Sequence, residues 1–354
     1  MTTTLSTPAP STTTRLRRRR LIGLAALVVL LGVGMLLSLA LGARPIPLDE
    51  AWEAIPRIVE VLRHPEGATV NQQVIAELRF PRTVLALAIG AALGVAGALI
   101  QGHTRNPLAD PGIIGISAGA ALAVVMAFAF FGIAATFPSA IVAFGGAIAA
   151  TAAVFGLASI GRGAVNPLTL ILGGAALTAV LGSITTGFVI SDAQNPGRMR
   201  FWSVGSAAGR DLSVFAGVAP LIALGIVLAL ITGPTLNVLN LGDDAASALG
   251  INTSAQRIAG MLIIALLAGA ATAAAGPIGF LGLVVPHIAR GLCGPDYRWI
   301  LPYSALAGAT LLVYADIVAR LIARPGELQV GIVLAFVGAP FFLYLVYRGK
   351  VSHV

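Results

Sequence analysis

The run TVLALAIGAALGVAGALI at residues 83–100 leads straight into QGHTRNPLADPGIIG at residues 101–115. The first stretch carries no charge, whereas the second brings Arg105, Asp110 and two prolines, after which an uncharged run continues from 113 to 161. At 1.5 Å per helical residue, a charge-free segment of this length fits a hydrocarbon layer about 30 Å thick. The polar stretch is then a connection between two membrane-crossing helices. Pro107 and Pro111 prevent either helix from running through it.

Composition supports that reading. The chain has 354 residues, of which 57% are hydrophobic and only 10% charged, and its mean hydropathy is +0.94. A soluble domain carries about a quarter charged residues. Counting uncharged runs gives about ten spans: 21–41, 83–101, 113–131, 139–160, 167–190, 212–231, 258–275, 278–293, 299–319 and 328–347. The predicted class is an all-α polytopic membrane protein, because the runs are continuous and a transmembrane β-barrel would alternate. Only 32 residues separate Arg257 from Arg290, too few for two full spans, so GPIGFLGLVVPH is expected to include a short or broken helix.

The formal charge of +8 does not point to nucleic acid. Five of the 22 basic residues form RLRRRR at 15–20, immediately before the first span, where positive charge sets topology. Residues 1–20 are expected to be a disordered basic cytoplasmic tail, and 21–350 one transmembrane domain with both termini inside. Arg105, Arg162, Arg257, Arg290, Arg298, Arg348 and Lys350 fall on the same side, which makes twelve basic residues inside against ten outside, a weak bias, so the orientation rests on the N-terminal block. Phe201 and Trp202 read as interfacial aromatics. The single cysteine, Cys293, excludes an internal disulfide and a cysteine-cluster metal site.

The halves resemble each other. QRIAGMLIIALLAGAATAAAGPIGFLGLVV from Gln256 echoes PRTVLALAIGAALGVAGALIQ followed by PGIIGISAGAA, and VNPLTLILGGAAL echoes LQVGIVLAFVGAP. With five spans per copy the second must be inverted, a design that places a pathway between the copies. Gly90, Gly94 and Gly97 permit close helix packing.

Ion-coupled carriers keep ionisable side chains in mid-membrane. Here the spans hold almost none, Asp316 with Arg320 four residues on being the exception. The chain has no GxxxxGK[ST] phosphate loop either, so it is not expected to be an enzyme or to hold a nucleotide or metal. Its energy arrives from another chain, unless it is a stand-alone secondary carrier or channel. The segment 232–256 is a candidate receiver. Gly242 is followed by Asp243 and Asp244, favoured in a first helical turn, then Ala245 and Ala246, then Leu249 and Gly250 as a C-terminal stop. By spacing alone an ordinary loop helix with solvated acids is the favoured reading.

LRFPRTVLALAIGAALGVAGALIQ and RNPLADPGIIGISAGA, then GDDAASALG, GPIGFLGLVVPHIARGL, ALAGATLLVYADIVARLI and ELQVGIVLAFVGAPFFLYL occur in that order between Arg79 and Tyr347. Together they closely resemble the FecCD-like permease subunits of ABC importers for iron siderophores, haem and cobalamin. The resemblance implies a second permease copy, identical or paralogous, two cytoplasmic ATP-binding subunits that carry ATP and magnesium, and an extracytoplasmic substrate-binding protein. The setting would be the bacterial cytoplasmic membrane and its lipid, and the cargo a metal chelate, a ferric siderophore being the commonest case. It makes GDDAASALG the coupling helix and places Asn106, Pro107 and Leu108 at the cytoplasmic gate. An ordinary turn in which Asn106 satisfies its own backbone is the competing reading. It also assigns Arg79, Arg82 and Arg320 to gripping acidic residues of the binding protein, against interfacial anchoring and, for Arg320, neutralisation by Asp316. His287 in VVPHIAR reads as a packing residue, as does His103.

Overall fold

The structure is a computed structural model, and it describes residues 12–133, 135–159, 167–191 and 204–347. Phe201, Trp202, Arg162, Arg348 and Lys350 lie outside the described residues, as do residues 1–11 of the tail.

Every regular element described is helical. Helix α1 (Thr12–Ala40) is the first span. Three short helices follow on its far side, α2 (Leu48–Ala54), α3 (Ile58–Arg63) and α4 (Val70–Gln73). A π-helical stretch, Val74–Arg79, joins α4 to α5 (Phe80–Thr104). Helices α6 (Ile116–Phe131), α7 (Thr136–Ser159) and α8 (Pro167–Ser191) complete the first half. The second half holds α9 (Leu212–Leu239), the short α10 (Asp243–Ala248), α11 (Thr253–Ala275), α12 (Leu281–Cys293), α13 (Tyr297–Ile322) and α14 (Val330–Tyr347).

Seven helices are long and apolar enough to cross a membrane, and α6, α12 and α14 are shorter apolar helices. These match the ten runs counted from the sequence. The expected short helix is α12: its 13 residues extend only about 20 Å. Its lead-in 276–280 is non-helical, and Phe280 has φ +65°.

Three boundaries differ from expectation. The basic tail is helical from Thr12 on, RLRRRR continuing α1, and Arg20 at its end finds partners: its Nε donates to the Cys293 carbonyl at 2.8 Å and its guanidinium lies over the Trp299 ring. Helix α9 runs on to Leu239, eight residues beyond the apolar run. Its polar Asn237 is satisfied by tertiary contacts, donating to Asp296 Oδ1 at 2.7 Å and accepting from the Tyr297 N–H at 2.8 Å. The connection 232–256 therefore shrinks to 240–252. Helix α11 starts early too, since Asn252 caps it through the Ala255 N–H at 3.0 Å.

Helices α5 and α11 form the centre, and α5 packs most closely on α13. A Cβ at Gly90 or Gly94 would overlap the carbonyl of Gly308 or Ser304, and one at Gly97 that of Gly282. Backbone meets backbone along this seam, which gives the sequence-flagged glycines their reason. Around it Leu85, Ile89, Leu99, Ile264, Leu267 and Leu312 are fully enclosed. On the far side Ala51, Ala54, Ile58, Val61 and Ile75 make a small separate core under α2 and α3.

The contacts sort the charges into two ends. Arg20, Asp296, Asn237 and α10 share one end with the basic block. Arg79, Arg82 and Arg320 gather around the C-terminus of α1 at the other.

Candidate functional site: the coupling helix and the gate loop

Helix α5 ends at Thr104, where Arg105 adopts the left-handed conformation, φ +48°. That single residue turns the chain into the loop 106–110. The Asn106 N–H donates to the Gln101 carbonyl at 3.2 Å, and Asn106 Oδ1 accepts from the Leu108 N–H at 2.9 Å. The Asn106 oxygen is thus engaged in its own turn, as the ordinary-turn reading expects. Leu108 stands exposed beside Pro107, and Ala109 is buried. Asp110 caps the next turn by accepting from the Gly112 N–H at 2.8 Å. Burial pushes its carboxyl above the usual carboxylate range, against the lowering effect of that N–H. A cavity of about 120 Å³ lies behind this turn, lined by Asp110, Pro111, Ile116, Thr272 and Gly282 among others.

Gln101 holds the loop from below. Its amide nitrogen, Nε2, donates to the Gly282 and Leu283 carbonyls at 3.3 Å and lies 3.4 Å from that of Ala109. Its oxygen accepts from Arg290. One buried amide therefore joins the loop 106–110 to the first turn of α12, whose early carbonyls it engages.

Helix α10 sits next to the loop. Gly242 (φ +118°) precedes it, and Gly250 (φ +79°) stops it, with the Ile251 N–H donating to the Ala246 carbonyl at 3.0 Å. Ala246 is buried, whereas Asp244, Ala245, Ala248 and Leu249 are exposed, as is Leu241 just before the helix. The two acids, alike in sequence, have different surroundings. Asp244 faces outward. Asp243 is bridged to Arg105 and to Arg257, the latter with Nη2 at 2.9 Å from Oδ2 and 3.0 Å from Oδ1. Arg105 also donates to the Leu239 carbonyl at the end of α9, at 3.0 and 2.6 Å. The end of α5, the short α10 and α11 are thereby tied at one carboxylate, and Arg105 extends the tie to α9.

At the opposite end the structure encloses the three arginines that the sequence left at the surface. Arg79, Arg82 and Arg320 are buried, with 4%, 6% and 2% exposure, and are not free surface grips. Arg79 donates to the Leu39, Ala40 and Arg44 carbonyls, and Arg320 to those of Ser38 and Leu41. The last carbonyls of a helix lack intrahelical partners and carry partial negative charge, so two of these side chains act as the C-terminal cap of α1. Arg82 meets Asp316 through two nitrogens at 2.8 and 3.0 Å and Glu327 at 2.6 Å. Arg320 Nε lies 3.2 Å from Asp316. The three arginines still wall a recess of about 420 Å³, together with Arg44 and Glu327. Among the described residues Arg79 faces carbonyl oxygens only, so positive charge is in excess there.

His287 lies edge-on to Phe341, ring centroids 6.1 Å apart. His103 is buried against Gly260, its nitrogens unpartnered among the described residues.

The family model described as the FecCD transport family matches residues 30–348. This chain belongs to the FecCD transport family. It is 44% identical to the iron(3+)-hydroxamate import system permease protein FhuB of Bacillus subtilis, over 93% of this chain and 84% of that one. It is 40% identical to the ferric enterobactin transport system permease protein FepD of Escherichia coli, over 93% and 96%. A solved structure described as an inward-facing metal-chelate type ABC transporter superposes with a TM-score of 0.78 at 30% identity, covering 92% of this chain and 98% of that one. The FecCD chain is thus a multi-pass permease subunit of the ABC-importer class, and partner chains of the ATPase and substrate-binding kinds go with that class.

Of the FecCD residues that matter here, the sequence reading counts Arg105, Arg257 and Arg290 only as topology charges and passes over Gln101. Arg105 and Asp243 are 138 positions apart, and no spacing rule links them. The one local signal is that an arginine immediately precedes the Asn-Pro pair that ends α5.

Proposed function

We propose that this FecCD permease passes a ferric siderophore from a binding protein on the α2–α3 side to the α10 side, driven by two ATPase subunits that dock on α10. A second permease copy, identical or paralogous, completes the pathway, and the termini and α10 face the cytoplasm. The observation that carries the reading is the Asp243 carboxylate shared between Arg105 and Arg257.

Docking on α10 uses its exposed small face. Ala245, Ala248 and Leu249, with Leu241, offer apolar surface with little side-chain bulk, and Asp244 adds an outward charge. A push on α10 is passed by Asp243 to Arg105, the residue at which α5 becomes the gate loop. Charge-assisted hydrogen bonds between ionised partners are short and strong, so the strain reaches Pro107 and Leu108 instead of being absorbed by a flexible hinge. Leu108, exposed in the single chain, supplies apolar bulk that excludes water when two copies meet. Gln101 carries the same displacement to α12.

On the other side, the recess walled by Arg44, Arg79, Arg82 and Arg320 suits an acidic side chain of the binding protein. Its charge excess attracts a carboxylate, while Asp316 and Glu327 hold Arg82 and Arg320 in place. Substrate choice rests on the hydroxamate and enterobactin relatives, with haem and cobalamin as competitors. Residues 83–100, 212–231 and 258–275 carry no charged side chain, and such smooth walls suit a bulky chelate.

The test is reconstitution of the permease with its ATPase and binding protein in liposomes. Uptake of a ferric siderophore that requires hydrolysable ATP supports the reading. Uptake that follows a proton gradient with the ATPase inactivated would transfer the protein to the class of secondary carriers.

A further inference from the structure

At the end of the molecule that carries the basic block, α1 and α13 diverge and leave a recess of about 530 Å³ lined by Leu16, Arg17, Arg20, Asp296, Arg298, Trp299 and Pro302. Three guanidinium groups face one carboxylate. Arg298 spans Asp296 at 2.8 Å, and Arg20 lies 3.8 Å from the same group while covering Trp299, 5.5 Å from the ring centroid. Arg17 is exposed and forms no ion pair among the described residues. Hydrogen bonds from Arg298 and Asn237 keep the Asp296 carboxyl below the usual range, although burial pushes it the other way. The recess therefore holds a net positive charge.

What lies beyond it identifies the ligand chemistry. Leu21 and Val28, four and eleven residues after Arg17, share its helical face and are 49% and 52% exposed. A charged recess is thus continuous with an apolar stripe that runs toward the middle of the span. A free anion would use only the first, whereas a phospholipid places its phosphate at the arginines and its acyl chains along the stripe. Basic pockets between transmembrane helices bind anionic headgroups by this combination, and a half-buried tryptophan at the rim suits headgroup depth.

We propose that this recess binds one anionic phospholipid, its headgroup phosphate held by Arg17, Arg20 and Arg298. The site would seat the N-terminal turn of α1 against α13, independently of transport direction and cargo.

The full-length permease in mild detergent, titrated with phosphatidylglycerol and followed by native mass spectrometry, should retain one lipid per chain. Phosphatidylcholine should be retained far less, and inorganic phosphate alone should not occupy the site. Arg17→Gln with Arg298→Gln should weaken phosphatidylglycerol binding on the order of thirtyfold, the loss expected for two interfacial arginines. Arg17→Gln alone, which breaks no internal ion pair, should weaken it about fivefold with an unchanged unfolding midpoint. Equal retention of phosphatidylcholine, occupation by phosphate without lipid, or wild-type binding by Arg17→Gln would each overturn the proposal.

Discussion

Arg257 Nη2 lies 2.9 Å from Asp243 Oδ2, and the other oxygen of that carboxylate meets Arg105 at the end of α5. Neighbouring Asp244 projects outward. Two adjacent acids of one six-residue helix thus have different surroundings, one paired inside the chain and one exposed.

The first prediction separates them. Asp243→Asn should leave basal ATPase activity of the assembled transporter near normal and reduce uptake about tenfold, because the link to the gate loop loses a charge-assisted bond of about 1.5–3 kcal/mol. Asp244→Asn should weaken ATPase attachment and leave the isolated permease unchanged in stability. Parallel measurements of uptake, hydrolysis and subunit retention on an affinity column distinguish the two, and identical behaviour of both variants would refute the division of labour.

A second prediction concerns the opposite end. Arg82→Met leaves Asp316 with Arg320 alone and frees Glu327. Removing one partner of a buried ion network typically costs about 3–5 kcal/mol, so the unfolding midpoint in detergent should fall clearly. Arg82→Lys should recover only part of the loss, since an ammonium cannot bridge two carboxylates in one plane. A midpoint unmoved by Arg82→Met would show that the cluster is not structural.

The rim of that recess gives a third. Arg44 is exposed, and only its backbone carbonyl takes part in the buried network. Arg44→Glu should therefore weaken binding of the loaded substrate-binding protein about tenfold at low salt, and by less as salt screens the interaction. Surface plasmon resonance over a salt series measures this. Equal affinity at low salt would remove the recess from the docking surface.

The glycine seam supplies a fourth. Gly308→Val puts side-chain atoms where the Gly90 carbonyl already stands. Overpacking of this sort costs about 1–3 kcal/mol or more, and here no flexible side chain can yield. Folded permease recovered from the membrane should drop sharply, whereas Gly145→Ala, with open space around it, should be recovered at wild-type level.

The sequence by itself determined the solvent, the number of apolar helices, the weak α12 and the breaks at Pro107 and Gly250. Each is set by local chemistry: apolar run length, proline's missing donor, glycine's access to positive φ. Its order of motifs also sufficed to indicate the FecCD family. Tertiary structure alone decided where the charges go. Asn237 looks like a loop residue until Asp296 and Tyr297 satisfy it inside α9. Arg79, Arg82 and Arg320 look like surface groups until the carbonyls of α1 and the carboxylate of Asp316 enclose them. Arg105 looks like a topology charge until Asp243 arrives from the other half of the chain. An arginine's sequence neighbours say nothing about which distant oxygen will neutralise it, and burial of a charge is tolerated only once that partner is in place.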